Sequence, residues 1–179
     1  FQFLQVFLSS SLYVSITENL VVSPGSSVFF TGSLFAFLII YIKEGVKVTR
    51  RIIYSLFILN VLMVVLLETF GWNIKDATTY NPYNLSNDIF DVNARILLIG
   101  AFSLILDSFL IIILFEFISK HIKFLFIQIL ITMLIVVSFD TVLFSSLAFS
   151  NYDKFASILI SGLISKSFFV IFYSLIFSV

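Results

Sequence analysis

Cysteine is absent from this chain of 179 residues. That excludes disulfides, thiolate metal sites and thiol nucleophiles. Histidine occurs once, so no paired-histidine metal motif can be drawn. No Ser–His–Asp set and no phosphate loop is readable either. Neither an enzyme nor a cofactor is therefore expected. Charge is scarce: 11% of residues are charged, with Lys+Arg 10 against Asp+Glu 10. A net charge of zero lacks the basic footprint of a nucleic-acid binder. The start of the chain has no basic n-region, so no signal peptide is read. Proline occurs twice; one of the two, in Pro24-Gly25, breaks the chain between apolar runs.

What is present is apolar. Hydrophobic residues make up 60% of the chain, and the mean hydropathy is +1.16. A water-soluble domain of this size leaves roughly 30% of its chain surface exposed. There is not enough polar surface here to cover it, so lipid is the expected solvent. About 20 helical residues cross a hydrocarbon core. Candidate spans are Gln2–Val22, Ser27–Ile42, Ile52–Thr69, Ala94–Ile118, Phe124–Phe149 and Phe155–Val179. The expected fold is all-α: a polytopic membrane protein of six transmembrane helices forming one domain over residues 1–179. Both ends fall in apolar runs, so a domain cut from a longer chain is expected.

Charge placement orients the spans. Lys43, Lys47, Arg50 and Arg51 fall between spans two and three, and Lys120 and Lys123 between spans four and five. In an up-down array these loops share one side. The other side has Lys75, Arg95 and Lys154 offset by Asp76, Asp88, Asp91 and Asp153. The positive-inside rule makes the first side cytoplasmic, with both termini, in a multi-pass protein of the plasma (inner) membrane. Trp72, Tyr80 and Tyr83 sit in the long polar loop, as expected at a membrane interface.

Two acids lie deep in apolar runs, each followed by a hydroxyl residue: Asp107-Ser108 and Asp140-Thr141. Asp107 is roughly 18 Å from the inner end of its span, and Asp140 roughly 24 Å from the inner end of the next. Lys166 is roughly 17 Å in from the outer end of span six. Three charged residues thus share one layer. A carboxylate at that depth costs several kcal/mol and marks a ligand site, an ion pathway or a structural pair. Gly100, Ser103 and Asp107 share a helical face, as do Thr132 and Asp140. Helix packing in lipid also favours small and hydroxyl residues, but it does not explain the charges. Glu18, Glu68, Glu116 and Arg95 lie near span ends, where they can be solvated. Asn60 fits an interhelical hydrogen bond, and His121 falls in a basic loop.

In order and spacing, the stretches VVSPGSSVFFTGSLFAFL, SNDIFDVNARILLIGAFSLILDSFL, ITMLIVVSFDTVLFSSLAF and SGLISKSFFVIF resemble the vitamin-uptake membrane family that includes queuosine-precursor transporters. Its most specific part is Arg95, Asp107-Ser108, Asp140-Thr141 and Lys166 together. The resemblance implies a six-helix fold and places these six residues at an intramembrane ligand-binding region. Departures are equally clear. Leu12 and Thr17 stand where the transporters carry an Asn and a Lys. LFAFLIIYIKEG lacks their acidic pair, and Phe172–Leu175 read FYSL in place of Asp-Thr-Pro.

Half the polar set missing from an intact scaffold suggests binding without transport. The relative of that character is the vitamin uptake-like sensor domain. It implies a sensory input domain for a vitamin- or nucleobase-like small molecule, with an attached C-terminal cytoplasmic signalling module. The alternatives are an uptake transporter for such a heterocycle, and a structural membrane module locked by a buried ion pair. The expected partners are membrane lipid, the small molecule and the signalling module, with no nucleic acid.

Overall fold

The computed structural model describes residues 8, 12, 14–17, 20–75, 80, 82, 94–150 and 155–177. Apart from one short hairpin, every element among them is helical. The hairpin pairs β1 (Val14–Thr17) with β2 (Leu20–Val22) in antiparallel fashion, in the register Val14↔Val22 and Ser15↔Val21. A π-helical turn, Gly25–Phe30, follows Pro24. Then come α1 (Thr31–Lys75), α2 (Ala94–His121), α3 (Leu125–Phe149) and α4 (Phe155–Phe177). Lipid offers no water to backbone N–H and C=O groups, so apolar runs of this length close their hydrogen bonds internally as helices.

The expectation of six transmembrane helices is corrected. The described residues contain four helical stretches long and apolar enough to cross a membrane, not six. Two local causes account for the difference. In the predicted first span, Val14–Thr17 and Leu20–Val22 are strands, and the rest of its described residues do not amount to a span. The strand residues are mainly β-branched, which stiffens χ1 and favours a pleated backbone over a helix. β2 packs against α4. The predicted second and third spans run together as one helical stretch of 51 residues, Gly25–Lys75.

That stretch is not straight. Gly45 has φ 77° and ψ −179°, outside the helical region. This backbone region is open essentially to glycine alone. It separates two arms, residues 31–44 and 46–75. Gly32, Ser33, Ala36, Phe37 and Ile40 from the first arm and Ile52, Leu56 and Leu59 from the second line one cavity of about 430 Å³. The arms therefore lie side by side, folded back at Gly45. The Thr49 hydroxyl donates to the Gly45 carbonyl at 2.9 Å, satisfying an acceptor at the break.

α2 packs on α1 and α3, and α3 on α4. The core holds Leu34, Phe35 and Leu38 of the first arm with Ile111, Met133, Val136, Val137 and Val170. The outer faces expose Tyr54, Ile58, Leu62, Phe102, Ile113, Phe117 and Phe168. A continuous apolar exterior of this kind matches lipid rather than water. The Tyr41 hydroxyl donates to Glu116 Oε1 at 2.8 Å. That bond ties the end of the first arm to the end of α2, so the two basic loops share one end of the bundle. Phe177 stacks against Phe35 with centroids 6.0 Å apart. Ser165 meets Ser27 while Phe177 meets Phe35, so the first arm and α4 run in parallel toward that end.

Candidate ligand-binding site

Among the described residues, Asp107, Asp140 and Lys166 are the charged side chains that are buried, at 0%, 2% and 4% exposure. Each comes from a different helix. Asp107 lies on α2, Asp140 on α3 and Lys166 on α4. Lys166 Nζ donates to Asp140 Oδ2 at 2.6 Å. Both residues sit more than two turns from either end of their helices, so side-chain reorientation does not carry them to the ends. The pair cancels its own charge, which offsets much of the desolvation cost of burying it.

Close packing sets the geometry of the pair. A Cβ on Gly162 would meet Thr141 Cγ2 at 3.0 Å. The missing side chain lets α4 approach α3 one turn before Lys166. Gly100 plays a looser part where α2 meets α3: a Cβ there would lie 3.7 Å from the Phe144 ring. These contacts at 100/144 and 141/162 put the middle of α2, α3 and α4 at one level. The sequence expectation of a shared charged layer is therefore met in space.

The third acid differs. No N–H or side-chain hydroxyl of another described residue donates to Asp107; its carboxyl faces that of Asp140 and shares a hydrogen bond with it, while Ser103 Oγ, one turn earlier on the same face, has no partner. Asp107 lies close enough to Asp140 and Lys166 to interact electrostatically with both. Two more buried hydroxyls without partners, Thr132 and Ser174, lie two turns from Asp140 and Lys166 respectively. Buried polar atoms are nearly always hydrogen-bonded, so a group of exceptions calls for an explanation.

The hydroxyl neighbours of the two acids behave differently from what their spacing suggests. Ser108 Oγ donates to the Leu104 carbonyl at 2.6 Å, and Thr141 Oγ1 to the Val137 carbonyl at 2.7 Å. Both protons are committed to the residues' own helices, the usual recourse of a hydroxyl in a helix interior. Arg95 falls in the first turn of α2, twelve residues or about 18 Å along the axis from Asp107; its side chain lies outside the described residues, as do Asp88, Asp91 and Glu18.

One contributor was not singled out from the sequence. The π-helical turn brings Ser27 Oγ within 2.8 Å of Ser165 Oγ, and sets the Phe30 ring 5.1 Å from Lys166 Nζ. A cation over an aromatic face is attracted by the ring quadrupole. Widened helical turns recur at functional sites. The Pro24-Gly25-Ser26-Ser27 run opening an apolar helix was the available signal. Farther down, Tyr173 Oη donates to the Val28 carbonyl at 3.2 Å, so α4 grips the π turn twice. Leu104, on the α2 turn between Ser103 and Asp107, also lines the cavity between the α1 arms. No three His, Cys, Asp or Glu residues among those described could hold a metal ion together.

A helical bundle with membrane-length apolar helices and a charged cluster at mid-depth defines a membrane protein with a buried polar site. A family profile described as Vitamin uptake-like sensor matches residues 1–179, the whole chain. The chain belongs to that family. The family's sensor description supports a sensory role, and a family of this description is not typically enzymatic. No curated protein and no solved structure matches the chain.

Proposed function

We propose that this chain is the membrane-embedded input domain of a sensor, and that a small molecule binds between α2, α3 and α4 at Asp107, Asp140 and Lys166. The observation that carries the reading is Asp107: a second, wholly buried carboxyl set against Asp140 beside the Lys166 ion pair, with the Ser103 hydroxyl buried and without a partner one turn away. A purely structural lock needs only the pair. Ser108 and Thr141 shape the site through their packing, and Arg95 stands at the outer end of the same helix as Asp107.

Signalling follows from where α4 leads. This helix carries Lys166 at the site and runs on to Phe177, toward the end shared with the basic loops. The positive-inside rule makes that end cytoplasmic in the plasma (inner) membrane. A ligand that favours one packing of α4 over another shifts the population by its difference in affinity. An attached C-terminal effector would read that shift.

The test uses the purified protein in nanodiscs and the small-molecule pool of its host cells, fractionated by size. A fraction that raises the unfolding temperature of the native protein, and loses the effect when Asp107, Asp140 and Lys166 are all neutralised, supports the reading. Equal stabilisation of both proteins removes the site. Accumulation of the active compound in intact cells, above that of cells lacking the protein, replaces sensing with uptake.

A further inference from the structure

We infer that the seam between the second arm of α1 and α2 holds an anionic phospholipid, its phosphate set against Lys47, Arg50, Arg51 and Lys120. This rests on the membrane reading of the chain and not on the ligand site. Lys47, Arg50, Arg51 and Tyr54 recur at three- and four-residue spacing, so they share one face of the second arm. The three cations are exposed, while Thr49 and Ile53 on the opposite side are buried. Ile58 continues the face one turn farther on and is exposed too. α2 repeats the same order of chemistry in the opposite direction. Phe109, Ile113, Phe117 and Lys120 follow one another at four- and three-residue spacing, with Lys120 exposed in the last turn. The Tyr54 and Phe109 rings meet edge-on with centroids 6.5 Å apart, which brings the two faces together. Each face thus runs from cations at the helix end to apolar side chains below.

The depth fits a lipid. Lys47, Arg50 and Arg51 stand roughly 3 to 9 Å along the helix from the fold-back at Gly45. The Tyr41–Glu116 bond sets the end of α2 level with that fold-back. The cations therefore stand at the height of lipid headgroups, and their apolar stems can lie along the seam. Ile113 and Phe117, each 63% exposed, lie beneath them at the depth of acyl chains. None of the four cations pairs with a carboxylate among the described residues. Lys43 and Lys123 add exposed charge at the same end, where the described carboxylates are Glu44 and Glu116. Glu116 already accepts from Tyr41. Clustered Lys and Arg at a membrane surface attract anionic lipid. A soluble phosphate would meet the cations and leave the apolar part of the seam bare, whereas a phospholipid fills both.

The experiment places the full protein in phosphatidylcholine bilayers with a trace of spin-labelled lipid, either phosphatidylglycerol or phosphatidylcholine. The spectra separate lipid immobilised on the protein from free lipid. The expected result is a preference for phosphatidylglycerol of roughly 5-fold or more, the worth of at least one Lys or Arg near an anionic surface. High salt should remove it. Lys47→Gln combined with Arg50→Gln and Arg51→Gln should bring the ratio close to one. Lys47→Arg should leave it unchanged, because the charge remains. A preference that survives the triple substitution overturns the inference. So does inorganic phosphate that displaces the labelled phosphatidylglycerol as well as unlabelled phosphatidylglycerol does, because the cations then serve a soluble anion. Equal immobilisation of the two lipids overturns the inference and leaves the membrane reading intact, whereas no immobilised lipid at all overturns both.

Discussion

Asp140 and Asp107 are chemically the same residue, at similar depth, on adjacent antiparallel helices, and the fold treats them in opposite ways. Asp140 faces Lys166 across the tight α3–α4 contact and is neutralised by it. Asp107 faces the same cluster from α2, receives no donor from a basic group and meets the Asp140 carboxyl instead. The difference comes from helix rotation and the glycine at position 162, not from the local sequence, since both acids precede a hydroxyl residue in an apolar run. A buried ion pair is built to be kept, whereas a second carboxyl held against the first adds nothing to that pair and costs desolvation. One half of the cluster therefore reads as architecture and the other as a place for a ligand.

Substitutions can break this contrast. The largest effect is expected from Lys166→Met. It strands Asp140 without a partner and should cost about 3–5 kcal/mol, read by chemical unfolding in micelles. Adding Asp140→Asn to that variant should restore much of the loss, because the stranded charge is gone. If the double variant is no better than the single one, the two residues do not act as one energetic unit.

Gly45→Ala comes next, at about 1–3 kcal/mol, because no alanine adopts φ 77° with ψ near 180° without strain. Open space surrounds the position, so the loss tests the backbone alone. A variant of unchanged stability would mean that the fold between the α1 arms does not need this conformation. Gly162→Ala should cost about 1–3 kcal/mol through its contact with Thr141, and should lengthen the distance between Asp140 and Lys166. The distance change, seen by cross-linking or a solved structure, separates it from a general loss of packing.

Ser27→Ala should cost about 1 kcal/mol. Ser165 keeps its bond to the Gly162 carbonyl at 3.2 Å, so the loss should sit at the low end. Asp107→Asn closes the series and sharpens the comparison most. Its ligand-free stability should hold or rise, since a neutral amide fits the buried position and can still donate to Asp140. A loss as large as that of Lys166→Met would show that Asp107 is as structural as Asp140, and the contrast would collapse.

Much of this was legible in the chain itself. Lipid as solvent followed from the apolar share and from runs too long for a soluble core. The last three helices fell close to their expected places, because a long apolar run in lipid has no alternative to a helix. The charged layer was also readable, since depth along a helix is simple counting at fixed rise. The N-terminal run was misread for a definite reason. Hydropathy measures how apolar a segment is, but Val14–Thr17 and Leu20–Val22 are β-branched enough to pair as strands. Spans two and three follow each other as one stretch that folds back at Gly45, a backbone conformation that hydropathy does not sense.

By itself, then, the sequence determined the solvent, the helical character of the long runs and the depth of Asp107, Asp140 and Lys166. The tertiary structure decided which acid the lysine serves, where Ser108 and Thr141 send their protons, and that the π turn brings Phe30 and Ser27 to the site. Those outcomes depend on the rotation and spacing of helices distant in sequence. Position along a helix is set by local geometry, whereas partnership across helices is set by how closely they can pack, and no single segment carries that information.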